Sequence, residues 1–275
     1  MPLQDVGALA TYIPTIYTKE LIIETENNLL LAPLVDRSFD KYAAGGGNKI
    51  KVPTLSNLEA TPFTGTVDLT RTQESEVEID LDQKYHAAYG VDDFVRVQDA
   101  IDYFNKGKAK AAEAIARKMD STIADLIFDF TQTVGTVGTA LTQAAFIEGV
   151  EIMNSANVPQ TNRVWVLDPA SITDLTNCDW FVRMDYVEGS VSAKGFTGRQ
   201  ILGAPVYMTT NLSVKGGAHS AGYFHKEALA FVVQMKPNAT IERFGENLAN
   251  VVVQKALWGV KTMRDEFGVL INTRS

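Results

Sequence analysis

From Val97 to Ile127 apolar residues return mostly every three or four positions, at Val97, Ile101, Phe104, Ala111, Ile115, Met119, Ile123 and Ile127. That spacing places them on one face of a helix. A helix over 95–129 would measure about 50 Å at 1.5 Å per residue. It is longer than a compact domain of this chain's size is wide, so the remainder must be arranged around it as around a spine. The 275 residues suffice for one large domain or two modest ones, each with its own core. Gly107, inside Lys106-Gly107-Lys108-Ala109-Lys110, costs about 1 kcal/mol against Ala and marks the place for a bend. The basic stretch around it reads as solvated helix surface, because three charges release few counterions from a nucleic acid.

Before this helix the chain holds little that can pack by itself. Residues 1–48 carry a short amphipathic stretch over 18–31, ending in Leu29-Leu30-Leu31, then Pro33 and the glycine stop Gly45-Gly46-Gly47. A helix that short is marginal unless it docks on something, and another chain is a candidate, which makes Leu29, Leu30 and Leu31 subunit-interface residues. From Lys49 the period changes to two: Lys49 and Lys51 alternate with Ile50 and Val52 up to Pro53. Further on, Glu74, Glu76, Glu78, Asp80 and Asp82 alternate with Ser75, Val77, Ile79 and Leu81, a strand with one acidic and one largely apolar face. The two strands form a long hairpin. Its connection, 55–73, is too long for a tight turn and has little to bury, so it projects. The acidic row, with Arg71 in the connection, is either a solvated face or one that meets Lys or Arg of a neighbouring subunit. Carboxylates standing about 6.6–6.8 Å apart along a flat strand do not converge on a cation.

After the helix, a Thr- and Gly-rich linker at 131–139 leads to alternating elements. These are an amphipathic helix over 141–155, a buried strand Arg163-Val164-Trp165-Val166-Leu167, and a helix over 170–177 behind Pro169, which suits a first turn. A loop-rich stretch follows from Cys178 to Arg199, then strand entries at 201–208, 222–224 and 228–233, completing one mixed α/β unit up to about 236. The last forty residues return to strand character at 240–244, 251–263 and 267–271, expected as antiparallel strands packed on the long helix. Val91-Asp92-Asp93 after Gly90 reads as that helix's start.

Composition narrows the function. The net charge is −8, opposed to a protein that grips phosphates through clustered Lys and Arg. A lone cysteine, Cys178, forms no internal bridge and points to a reducing compartment. No signal peptide precedes the chain's first apolar run. The longest uncharged stretch, 130–147, is too rich in Thr, Gly and Gln for a membrane span. His86, His219 and His225 are too few and too dispersed for a metal site, and no cofactor is expected. Nucleophile elbow, phosphate loop and dinucleotide fingerprint are missing. Gly45-Gly46-Gly47-Asn48-Lys49 precedes a strand rather than opening a helix, so it offers no anion-binding helix start.

The order of these parts resembles the HK97-fold major capsid proteins of tailed bacteriophages. The local likenesses are Gly198-Arg199-Gln200-Ile201-Leu202-Gly203-Ala204-Pro205-Val206 followed by Asn211-Leu212, and Phe224-His225-Lys226-Glu227-Ala228-Leu229-Ala230. The resemblance implies an α+β fold with an N-terminal arm (1–48), an E-loop hairpin (49–84), a P-domain with a spine helix (85–140), an α/β A-domain (141–236) and P-domain return strands (237–275). It also implies a structural, non-enzymatic role: hexamers and pentamers of one chain closing into an icosahedral shell around double-stranded DNA. The DNA is held without sequence-specific binding, in a virion assembled in the host cytoplasm with a portal. Extensions that cannot be buried at home fit that role, since heterologous contacts close into rings and shells. Residues 1–41 hold three cations against six acids, as suits a container that is filled rather than one condensed around a genome.

Two departures qualify the resemblance. Some relatives crosslink an E-loop lysine to a neighbour's asparagine, but 55–83 contains no lysine, so a non-covalent shell is expected. The sequence opens almost directly on the arm, which suggests a separate scaffolding protein or none. Two alternatives stand beside this reading. One is an encapsulin-type nanocompartment shell, loaded with protein cargo; the other is a small-molecule enzyme centred on His219, His225 and Tyr223.

Overall fold

The computed structural model describes residues 30–55, 74–92, 103–178, 200–219, 221–244 and 249–274. In chain order the described elements begin with α1 (Asp40–Ala43), β1 (Lys49–Leu55), β2 (Glu74–Asp80), β3 (Gln83–Asp92), α2 (Tyr103–Ile127), β4 (Thr133–Val134) and α3 (Gln143–Ser155). They continue with β5 (Arg163–Leu167), α4 (Pro169–Thr176), β6 (Gln200–Ile201), β7 (Ala204–Met208), β8 (Val214–Lys215), β9 (Ala218–His219) and β10 (Ala221–His225). The chain closes with β11 (Leu229–Phe244), β12 (Ala249–Thr262) and β13 (Gly268–Ile271).

Two sheets carry the architecture, which is α+β. The first has six strands in the order β4-β13-β10-β5-β7-β6. Its centre is dictated by sequence: every residue of β5 and of β10 is buried. Trp165 stacks on Tyr223 (4.0 Å between centroids) and meets Phe146 of α3 edge-on (5.3 Å). α4 starts where it does because Asp168 accepts hydrogen bonds from the backbone N–H groups of Ala170 (3.0 Å) and Ser171 (3.3 Å), with Pro169 in the first turn, the usual remedy for unpaired donors at a helix start.

The second sheet has three strands, β11-β12-β3, all antiparallel. α2 lies across it and reaches the first sheet, burying Ala111, Ile115, Met119, Ile123 and Ile127. Its 25 residues extend for about 37 Å. Gly107 is explained by packing: a Cβ there would land on the ring of Tyr89 from β3. The glycine makes room for an aromatic side chain, where the sequence suggested a bend.

Three further expectations change. Val91 does not open the helix, because 83–92 form β3, paired with β12 from Trp258↔Gln83 to Ala249↔Asp92. β11 is a single strand of 16 residues, so the stretches on either side of residue 236 share one element; its register slips between Met235 and Asn238, around Pro237, which has no N–H to give a ladder. Finally, 268–271 touch α2 but do not join β12 in the three-stranded sheet. They pair with β10 in the six-stranded sheet, where Gly268 is needed because a Cβ would strike the ring of Phe130.

Candidate functional site

The acidic strand and the start of the described chain were the sequence's candidates for contact between copies. β2 pairs antiparallel with β1, Lys49 opposite Asp80 and Lys51 opposite Glu78. Residues directly opposed in such a pair share a face, so the lysines of β1 meet the carboxylates of β2. Lys49 Nζ lies 2.9 Å from Glu78 and 3.2 Å from Asp80; Lys51 Nζ lies 2.5 Å from Glu76 and 3.1 Å from Glu78. Hydrogen bonds from Lys49 and Lys51 hold the Glu78 carboxyl below the usual carboxylate range. Hydrogen bonds to Glu78 and Asp80 raise Lys49, and those to Glu76 and Glu78 raise Lys51. Two lysines against Glu74, Glu76, Glu78 and Asp80 leave this face of the pair with two net negative charges. It is a laced ribbon, neither a bare acidic row nor a cation site.

The opposite face fixes the hairpin to the body. Ile79 and Leu81 are buried with Ala43, Ala230 and Val232, and Ile50, Val52, Phe39 and Met263 pack around them. The hairpin crosses β12 at Gly259, where a Cβ would collide with the carbonyl oxygen of Asp80. Leu81 N–H donates to the Asn48 carbonyl at 2.9 Å. Asp82 is exposed and accepts from the Gln83 side chain at 2.8 Å. Glu74 stands opposite Leu55 at the outer end of the pair. Arg71 and Leu29 lie outside the described residues, as do most of the arm (1–29) and the connection 56–73.

Residues 30–44 run beside the sheets. Asp36 N–H donates to the Leu229 carbonyl and Phe231 N–H to the Asp36 carbonyl, each at 3.0 Å. The Asp40 carboxylate accepts from Val233 N–H at 2.9 Å. Leu30 is half-buried, whereas Leu31 is fully buried in the chain's own core and has no apolar surface left for another copy. Their N–H groups donate to the carboxylate of Asp120, on α2, at 2.7 and 3.2 Å. Asp120 is fully buried; desolvation raises its pKa, opposed by these bonds and by those from Ala32 N–H and the Asn211 side chain. Sequence reading missed both Asp120 and the lysine pairing. An acid set between Met119 and Ile123 in the buried stripe was the available signal for the first.

Of the residues proposed for an enzyme, His225 and Tyr223 are used in packing, and His219 is half-buried with its Nδ1 unpartnered among the described residues. His225 is buried, its Nδ1 accepting from Glu227 N–H at 3.2 Å and its ring edge-on to Phe267; burial pushes its pKa down. The Tyr223 hydroxyl accepts from Arg163 at 3.3 Å, and His86 is exposed opposite Lys255. Among the described residues no three His, Cys, Asp or Glu side chains are placed to hold a metal ion, and no helix is long and apolar enough to cross a membrane.

No family model and no curated protein matches the chain. Solved structures do. One from Mycobacterium phage Che8 is 22% identical with a TM-score of 0.81, covering 95% of this chain and 97% of that one. The capsid structure of the cyanophage P-SCSP1u is 15% identical with a TM-score of 0.77, covering 99% and 96%. The capsid of a native GTA particle is 12% identical with a TM-score of 0.73, covering the whole of both chains. At such identities the likeness is one of fold: this chain has the fold of phage capsid chains.

Proposed function

We propose that the chain is a major capsid protein, copies of which assemble through hexamers and pentamers into an icosahedral shell enclosing double-stranded DNA. The observation that carries this reading is the two-way coverage. Capsid chains are matched over nearly their whole length and nearly the whole of this one. The work is structural rather than enzymatic. In this reading β1–β2 and the residues between them are the E-loop, α2 is the spine helix of a P-domain completed by β3, β11 and β12, and the six-stranded sheet belongs to the A-domain.

The charge supports the same role. At −8, the chain is suited to enclosing DNA without gripping its sequence, and to being filled after assembly. A portal and a separate scaffolding protein are the partners this implies, with assembly in the host cytoplasm and the product in the virion. The carboxylate row of β2 and Leu30 at the arm root are the contacts we assign to neighbouring copies. Without a lysine in 55–83, those contacts are non-covalent.

Electron microscopy of the purified protein tests the proposal, combined with nuclease digestion of particles from infected cells. Closed shells that protect double-stranded DNA are expected. Shells that contain folded protein cargo in place of DNA would move the assignment to an encapsulin-type compartment, and a dispersed monomer at high concentration would overturn it.

A further inference from the structure

Besides α2, two crossings carry the described chain between the sheets, and they lie side by side. One is the turn of 3-10 helix Lys226–Ala228 between β10 and β11; the other is the turn Asp265–Phe267 between β12 and β13. The Ala228 carbonyl ties them, accepting from Met263 N–H at 2.8 Å and from Arg264 N–H at 3.2 Å, and Arg264 pairs with Glu227 at 3.3 Å. His225, the last residue of β10, anchors this joint. Its Nδ1 caps the first turn by accepting from Glu227 N–H at 3.2 Å, and its ring stands edge-on to Phe267 of the second turn, 5.6 Å between centroids. Asn or Ser is the ordinary cap and keeps one state at every ordinary pH. Imidazole does not.

The cap depends on a single proton. A neutral imidazole has one accepting nitrogen and an imidazolium has none, so a second proton would set a ring N–H against the Glu227 N–H. Burial opposes that charge most; the Glu227 carboxylate and a hydrogen bond with the Thr161 carbonyl favour it, while Arg163, directly opposite on β5, and Arg264 oppose it. The balance holds the ring below its ordinary 6.5. Of the other charged groups on the two turns, Lys226 and Glu266 are exposed and Asp265 accepts from Thr131 N–H at 3.0 Å. We propose that His225 is a proton-operated latch on the joint between the sheets: neutral, it holds the two turns together, and protonated, it releases them while the sheets stay folded. The closed joint binds fewer protons than the open one, so closure is favoured above about 6.5 and weakens as pH falls from there towards the closed-state value. Acid thus loosens the corner where the six-stranded sheet meets the three-stranded one. The latch belongs to the single chain and does not rest on the shell reading.

Amide exchange of the full chain in dilute, dispersed form, corrected for intrinsic rates, tests the latch. From about pH 7.5 to about pH 5.5 the Glu227, Met263 and Arg264 amides should lose protection, by up to about tenfold per pH unit below 6.5, while the amides of β5 keep theirs. His225→Asn supplies a capping oxygen that does not titrate and should abolish this pH dependence. Arg264→Gln removes a positive charge facing the ring and should make the dependence shallower. An unchanged pH response in either variant that folds would overturn the proposal. So would a loss of protection spread equally over β5, which is unfolding of the body rather than release of the joint. In the parent chain, a His225 ring that titrates by NMR at or above 6.5 would overturn it as well.

Discussion

At Asp120 a carboxylate sits inside the protein, on the face of α2 that carries Met119 and Ile123, and it survives there because it is used as an acceptor. Leu30 and Leu31 N–H groups reach it at 2.7 and 3.2 Å, and a buried donor without a partner is costly. Asp120→Ala is expected to lower stability by about 1–3 kcal/mol in urea unfolding at pH 7. The pH dependence has a definite sign. Burial raises the folded-state pKa of Asp120 above the ordinary 3.8, so the native state binds more protons than the unfolded chain between those two values. The group's contribution is therefore largest below about 3.8 and falls as pH rises through the folded pKa. The difference between parent and Asp120→Ala should widen on acidification; a difference that narrows would show that the carboxylate's bonds outweigh its desolvation.

At the scale of the hairpin, the signs reverse. The lowered Glu78 and the raised Lys49 and Lys51 make β1–β2 pairing most favourable between the ordinary values of the two groups. It weakens as pH falls below about 4.5 through the folded pKa of Glu78, and again as pH rises above about 10.5 through those of the lysines. Amide exchange in β1 and β2, corrected for intrinsic rates, should lose protection at pH 3 before the six-stranded sheet does. Simultaneous loss in both would mean that the apolar face of the hairpin, with Ile79 and Leu81, governs its opening. The hairpin also shows what a sequence can and cannot disclose. Alternation in each strand is local and was legible, as was the stripe of α2, because every turn repeats it. Which lysine faces which carboxylate depends on register across a connection of eighteen residues outside the described structure, and no local pattern states it. Asp120 and Leu30 are ninety positions apart, equally beyond a local reading. β3 was missed: Tyr85, Ala87, Tyr89 and Val91 alternate, but the helix-start signal at Val91-Asp92-Asp93 was read in its place.

For the whole molecule, the question is whether the laced face of the hairpin only holds itself together or is also met by a neighbouring copy. Reversing Glu76, Glu78 and Asp80 to Lys does not separate these, since Lys49 and Lys51 would then face three like charges and the pairing itself would suffer. An exchange does separate them: Lys49→Glu and Lys51→Glu combined with Glu78→Lys and Asp80→Lys keeps the net charge and places opposite charges at both directly opposed positions, 49↔80 and 51↔78, while altering the pattern presented outward. With local pairing restored, whatever remains lost belongs to contacts outside the chain, which is the logic of a mutant cycle. We expect the fourfold variant to match the parent in circular dichroism and in hairpin amide protection, yet to give fewer particles by sedimentation, because a neighbour arranged for the original order meets like charge. The deficit should shrink as salt is raised, since exposed charges are screened within about 8–10 Å at ordinary ionic strength. Particle yield equal to the parent's at low salt would confine these residues to the hairpin and leave neighbouring copies to be joined by other surfaces.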